Sequence, residues 1–162
     1  MPDPLPPYRT TVQSAWLDYN GHLNEAYYLL IFSYATDTLL DAVELDAASR
    51  EKHQVSAFTL ETHLCYLAEV SEGAEVEVEV QVLGADEKRM HIFSEMRRVS
   101  DGAVSATAEM ILVNVDMTTR RTAPFRPETR ARLDAFAEAS RAKPWPERAG
   151  RAVRGVRPAA AA

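Results

Sequence analysis

Glu25-Ala26-Tyr27-Tyr28-Leu29-Leu30-Ile31-Phe32-Ser33-Tyr34 opens a run without glycine or proline that reads as helix from Glu25 to about Leu45. Its first half is apolar nearly all round, which suits a helix enclosed by other structure. Its second half is amphipathic, with Asp37, Asp41 and Glu44 facing water. Ala26 to Ala35, the longest apolar stretch, is too short to span a bilayer and is interrupted by Ser33.

Strand patterns surround this helix. Tyr8 to Ala15 precedes it, after a proline-rich lead. Behind it, Ala57 to Leu67 places Phe58, Leu60, Thr62, Leu64 and Tyr66 on one face. Ala74 to Leu83 alternates Val76, Val78, Val80 and Val82 with Glu75, Glu77, Glu79 and Gln81, giving one dry and one wet face. Lys88 to Val99 and Val104 to Val115 are joined by Ser100-Asp101-Gly102, where Asp-Gly signals a hairpin. Pro127 to Ala142 reads as a closing surface helix, ended by Lys143-Pro144-Trp145-Pro146. Five half-buried strands need a cover, and the long apolar helix is the element able to supply it. The expectation is an α+β domain, a five-stranded antiparallel sheet wrapped around a long central helix. That domain takes residues 1–145, and residues 146–162 read as a flexible basic tail carrying Arg148, Arg151, Arg154 and Arg157.

The 162 residues suffice for one core, and 46% hydrophobic with 26% charged residues is an ordinary globular mix. A formal charge of −6 argues against nucleic-acid binding, which needs clustered cations. Neither a membrane span nor a leader peptide is legible, and the single cysteine, Cys65, suits a reducing cytoplasm. The four histidines and one cysteine show no zinc spacing, and neither a glycine-rich phosphate loop nor a Gly-x-Ser-x-Gly elbow occurs. Nothing calls for a metal or a cofactor.

Chemistry concentrates just ahead of the helix, in Trp16-Leu17-Asp18-Tyr19-Asn20-Gly21-His22-Leu23-Asn24. Asn20 suits an N-cap. Gly21 allows unusual backbone angles and close approach of a ligand. First-turn amides and the helix dipole favour a polarised carbonyl oxygen, and a carboxylate just upstream can act as nucleophile or general base. Local sequence alone leaves plain capping by Asp18 and Asn20 open, and a histidine such as His22 in isolation is more often structural and hydrogen-bonded than catalytic.

The stretch from Trp16 to Tyr28 resembles the signature of the 4-hydroxybenzoyl-CoA thioesterase-like hotdog family, with Asp18, Gly21, His22, Asn24 and Tyr28 at matching positions. The resemblance spans about Tyr8 to Val115 and implies a hotdog fold acting on an acyl-CoA. It implies that Asp18 attacks the thioester carbonyl or activates water, and that the helix-start amide of Glu25 polarises that carbonyl. Asn20 and His22 depart from the best-known members and are candidates for positioning water. The resemblance further implies a homodimer, or a dimer of dimers, with the active site at the subunit interface.

A closer resemblance is to thioesterases of carnitine breakdown that act on betainyl-CoA. It is carried by Trp16 to Tyr28, by Thr59-Leu60-Glu61-Thr62-His63 and by Lys88-Arg89-Met90-His91-Ile92-Phe93. A quaternary ammonium is bound by aromatic faces and carboxylates, which nominates Trp16, Tyr19, Tyr27, Tyr28 and Tyr66, with Glu61 as counter-charge and His63 beside it. For any single tyrosine, packing in the helix or sheet core is the favoured reading. Lys88, Arg89, Arg97, Arg120 and Arg121 are candidates for the CoA phosphates, or simply solubilising charges. A hotdog enoyl-CoA hydratase and a non-catalytic acyl-CoA-binding module share the same fold. The hydratase pattern sets its histidine five residues after the aspartate, whereas His22 follows Asp18 by four, a rotation of about 100° on a helix.

Overall fold

The computed structural model describes residues 4–153; the part of the basic tail from 154 to 162 lies outside the described residues. The chain runs β1 (Tyr8–Thr11), a 3₁₀ turn (Ser14–Trp16), α1 (Glu25–Ala42), α2 (Ala47–His53), β2 (Val55–Tyr66), β3 (Glu75–Ala85), β4 (Arg89–Arg98), β5 (Val104–Asp116), β6 (Arg121–Thr122) and α3 (Pro127–Arg141). Five antiparallel strands lie in the order β1-β3-β4-β5-β2, and the two-residue β6 adds to the end of β5. The α+β expectation of an antiparallel sheet around one long helix is met.

The helix forms the core as its pattern requires. Tyr28, Ile31, Phe32, Ala35, Thr36, Leu39 and Leu40 are its buried residues, at the three- and four-residue spacing of one helical face. Against them lie Val76, Val78, Val82, Ile92, Met96, Ala106, Ala108, Met110 and Leu112 from the sheet. Each fully buried Ile, Leu or Phe here contributes roughly 1.5–3 kcal/mol by removal from water. The helix is not enclosed on every side, because Leu29 and Tyr34 remain 41% exposed.

Local corrections have local causes. The helix stops at Ala42 rather than Leu45, since Glu44 adopts φ 60° and turns the chain away. Asp46 then caps α2, accepting from the amides of Ala48 and Ser49. No residue of α2 is buried, so it carried no apolar period for a sequence reading to find. β1 is shorter than expected because Gln13 begins the 3₁₀ turn, with Trp16 N donating to Gln13 O at 3.0 Å.

The most consequential difference lies in β2. Its pairing with β5 shifts between Thr59 and Glu61, leaving Leu60 as the extra residue of a bulge. Thr62, Leu64 and Tyr66 oppose Met110, Ala108 and Ala106 on the helix side, as expected. Before the bulge, Ala57 and Thr59 occupy that side, and Phe58 is turned to the other face with Val113.

After α3, the chain crosses the sheet face opposite the helix. Gly150 N donates to both carboxylate oxygens of Glu109, at 2.9 and 2.8 Å, and His91 Nε2 meets Oε1 at 2.7 Å. Arg151 pairs with Glu147 at 3.0 Å in the same segment. No helix among the described residues is long and apolar enough to cross a membrane.

Candidate active site

Asp18 to His22 is a short hairpin loop. Gly21 N donates to Asp18 O at 3.0 Å, Asp18 N donates to His22 O at 2.9 Å, and Leu17 bridges Leu23. Gly21 sits at φ +77°, the left-handed position that closes a three-residue hairpin turn. Asn20 therefore lies inside the loop and cannot cap the helix. The N-cap is Asn24, whose Oδ1 accepts from Ala26 N at 2.9 Å.

This arrangement leaves two reactive groups available. Asp18 Oδ1 accepts from Asn20 N at 2.8 Å, and among the described residues Oδ2 has no hydrogen-bond donor. At the start of α1, Ala26 N is held by the Asn24 side chain and Tyr27 N by Asn24 O at 2.9 Å. Among the described residues the Glu25 N–H has no acceptor. An unpaired first-turn amide at the positive end of an eighteen-residue helix is suited to a developing oxyanion.

Asp18 and Glu25 line one cleft of about 850 Å³, together with Asn20, His22, Tyr28 and Tyr66. Its far wall is Leu67, Ala68 and Glu69, from the connection between β2 and β3. That connection is fixed to the hairpin by Leu23 N, which donates to Val70 O at 2.8 Å, and by a bridge between His22 and Ser71. His22 Nε2 lies 3.3 Å from Glu69 Oε2.

The tyrosines join the helix to this wall. Tyr28 OH donates to Ala68 O and Tyr66 OH to Glu25 O, both at 3.3 Å, and the two rings meet edge to face with centroids 5.2 Å apart. Burial pushes the Tyr28 phenol up, with the Glu69 charge acting in the same direction. Burial likewise raises Tyr66, with Glu25 adding to the effect. Both phenols thus stay protonated and donating at neutral pH.

Of the site residues named from sequence, Asp18, Asn20, His22, Glu25, Tyr28 and Tyr66 line the cleft. Gly21 and Asn24 shape its backbone without lining it. Trp16 is stacked on Tyr27 at 5.8 Å, outside the lining, and Tyr19 is 98% exposed. Glu61 and His63 lie on the sheet face away from α1, opposite Ile111 and Glu109. Lys88 and Arg89 occupy the β3–β4 turn, where both amides bond to Asp86 and Arg89 pairs with its carboxylate. Arg89 pairs with Val113, seven residues along β5 from the Ala106 that opposes Tyr66, about 23 Å from the cleft in this chain. Arg97 is engaged by Glu95 and by Gly102 O. Arg120 and Arg121 stand at β6, beside Asp116 at that same far end.

Leu67, Ala68 and Glu69 were not found from sequence. Nothing local marks them, because they reach the site through long-range contacts, the pairing of Leu23 with Val70 and of His22 with Ser71 and the Tyr28–Ala68 bond.

Residues 12–133 match the family model of the thioesterase-like superfamily. A betainyl-CoA thioesterase of Pseudomonas aeruginosa is 48% identical over 149 residues, covering 92% of this chain and 94% of that one. An L-carnitine dehydrogenase/betainyl-CoA thioesterase of Agrobacterium fabrum is 40% identical over 154 residues, covering 95% of this chain; the chain spans 31% of that longer protein. A Staphylococcus aureus protein solved in complex with CoA superimposes with a TM-score of 0.86 at 28% identity, over 93% of this chain and 94% of that one.

Proposed function

The chain belongs to the thioesterase-like superfamily, and from that premise we propose that it hydrolyses betainyl-CoA to betaine and free CoA. Thioester hydrolysis is the activity of the family. The acyl group is read from the relative matched along nearly its whole length, and carnitine breakdown is the setting that this substrate implies.

The observation that carries the mechanism is the free Asp18 oxygen and the unpaired Glu25 N–H in one cleft. The Glu25 N–H donates to the thioester carbonyl oxygen, where negative charge grows as the carbon becomes tetrahedral. Asp18 delivers the oxygen nucleophile to that carbon, directly as its own carboxylate or by taking a proton from water. The carbon–sulfur bond then breaks and CoA leaves as a thiolate. Asn20 and His22 stand beside Asp18 to hold the water. On the direct route, that water next cleaves the aspartyl anhydride and restores the carboxylate.

The active unit we propose is a homodimer. β2 is an edge strand twelve residues long, with one side unpaired among the described residues, and with Phe58, Leu60 and Tyr66 exposed along it and Leu67 just beyond. Edges of this kind need cover. Antiparallel pairing of two β2 strands about a two-fold axis would satisfy both edges and bury Leu29 of α1 beside them. A reducing cytoplasm, where the lone Cys65 stays free, is the compartment that fits.

Thiol release with a chromogenic reagent tests the substrate, across betainyl-CoA, short aliphatic acyl-CoAs and aromatic acyl-CoAs. Fastest release from betainyl-CoA supports the proposal, and faster release from an aliphatic or aromatic ester overturns the choice of acyl group.

A further inference from the structure

In a betainyl thioester one methylene separates the cationic nitrogen from the reacting carbonyl carbon. The two atoms lie about 2.5 Å apart, like the N and C of one peptide residue. The cation must therefore sit in the same cleft as Asp18 and the Glu25 amide. Groups lining that cleft decide its fate, and more distant ones do not.

The cleft is electrically one-sided. Asp18, Glu25 and Glu69 contribute carboxylates, and among the described residues no lysine or arginine lines it; His22, 3.3 Å from Glu69, is the one lining group able to carry positive charge, and only when protonated. Arg98, which donates to the Glu69 backbone carbonyl at 2.7 Å, is balanced by Asp101. A neutral acyl group gains nothing from such a lining, and an anionic one is repelled. Beside the carboxylates stands the Tyr66 ring, half exposed and packed edge to face against the buried Tyr28. A neutral ring open to the cleft gives a cation an aromatic wall.

We propose that the quaternary ammonium is seated against the exposed Tyr66 ring, which Tyr28 backs, and that Glu69 is its counter-charge, ring and carboxylate together setting the preference for a cationic acyl group. This rests on the betainyl-CoA reading and replaces Glu61 as counter-charge, because Glu61 lies on the other face of the sheet. Asp18 is committed to the reaction. Glu69 is free of that duty, and its backbone is fixed opposite Asp18 by the Leu23–Val70 bond.

The test compares kcat/KM for betainyl-CoA and for 3,3-dimethylbutyryl-CoA, which has the same shape with carbon in place of the cationic nitrogen. In the wild type this ratio strongly favours betainyl-CoA. Glu69→Gln lowers the ratio about tenfold, and Tyr66→Leu does so by a similar factor. Tyr66→Phe, which keeps the ring, restores the ratio relative to Tyr66→Leu. Glu72→Gln, which removes an equal charge a few residues away, leaves the ratio unchanged. A ratio that neither Glu69→Gln nor Tyr66→Leu moves overturns the subsite while the betainyl-CoA reading stands. A wild-type enzyme without preference for betainyl-CoA overturns the substrate reading, and this inference with it.

Discussion

Tyr66 OH donates to the backbone carbonyl of Glu25 across 3.3 Å, tying the last residue of β2 to the first residue of α1. With the Tyr28–Ala68 bond, it sets the spacing between the helix start and the far wall of the cleft. Tyr66→Phe deletes the bond and keeps the ring. It is expected to cost about 0.5–1.5 kcal/mol of stability in urea unfolding. An unchanged midpoint would show that the bond holds nothing.

Asp18→Asn separates the two roles of this residue. The amide oxygen can still accept from Asn20 N, so the hairpin loop persists, but the carboxylate chemistry is gone. Thiol release from betainyl-CoA is expected to fall by about 10³-fold or more, with an unfolding midpoint close to wild type. Turnover within tenfold of wild type removes Asp18 from the mechanism.

Leu60 is 60% exposed at the bulge of an edge strand, and Phe58 near it is 44% exposed. Leu60→Glu puts a charge on the edge where two copies are expected to meet. Light scattering after size exclusion should find a dimer for the wild type and a monomer for the variant, together with a loss of hydrolysis. A monomeric wild type with full activity refutes the dimer.

Asp86 anchors the β3–β4 turn by accepting from Lys88 N, Arg89 N and the Arg89 side chain at 2.7–2.9 Å. The Lys88 amide foremost, then the Arg89 side chain, lower its carboxyl to about 2. A depressed folded value gives stability that is complete above the unfolded pKa near 4 and is lost as pH falls toward 2. The carboxylate is half exposed, so solvent screening reduces the contribution to about 1 kcal/mol. Asp86→Ala should lower stability by about that amount at pH 7, and the gap to wild type should close as pH drops from 4 to 2. A pH-independent gap in denaturation curves assigns the effect to turn shape instead of charge.

Patterns that act within a few residues were legible before any coordinates. The Val/Glu alternation of β3 fixed which side of that strand is dry, because successive side chains point to opposite faces. The apolar run from Ala26 to Ala35 marked α1 as the core helix without showing which face stays open, and the run from Asp18 to Asn24 marked the ground on which the cleft is built. Even there the cap was misplaced: local sequence put it at Asn20, and the hairpin closed by Gly21 leaves it to Asn24.

What tertiary structure alone decided depends on pairing between distant segments. The bulge at Leu60 changes the register against β5 and sends Phe58 to the other face, with no turn residue in β2 to announce it. Lys88 and Arg89 lie far from the cleft because β4 runs away from it. Glu69, sequentially remote from Asp18, faces it because Leu23 N finds Val70 O. A residue's intrinsic preferences are carried in its own neighbourhood. Which neighbourhoods meet is settled by burying the faces of α1 and the sheet together, a global condition that no local stretch of the chain encodes.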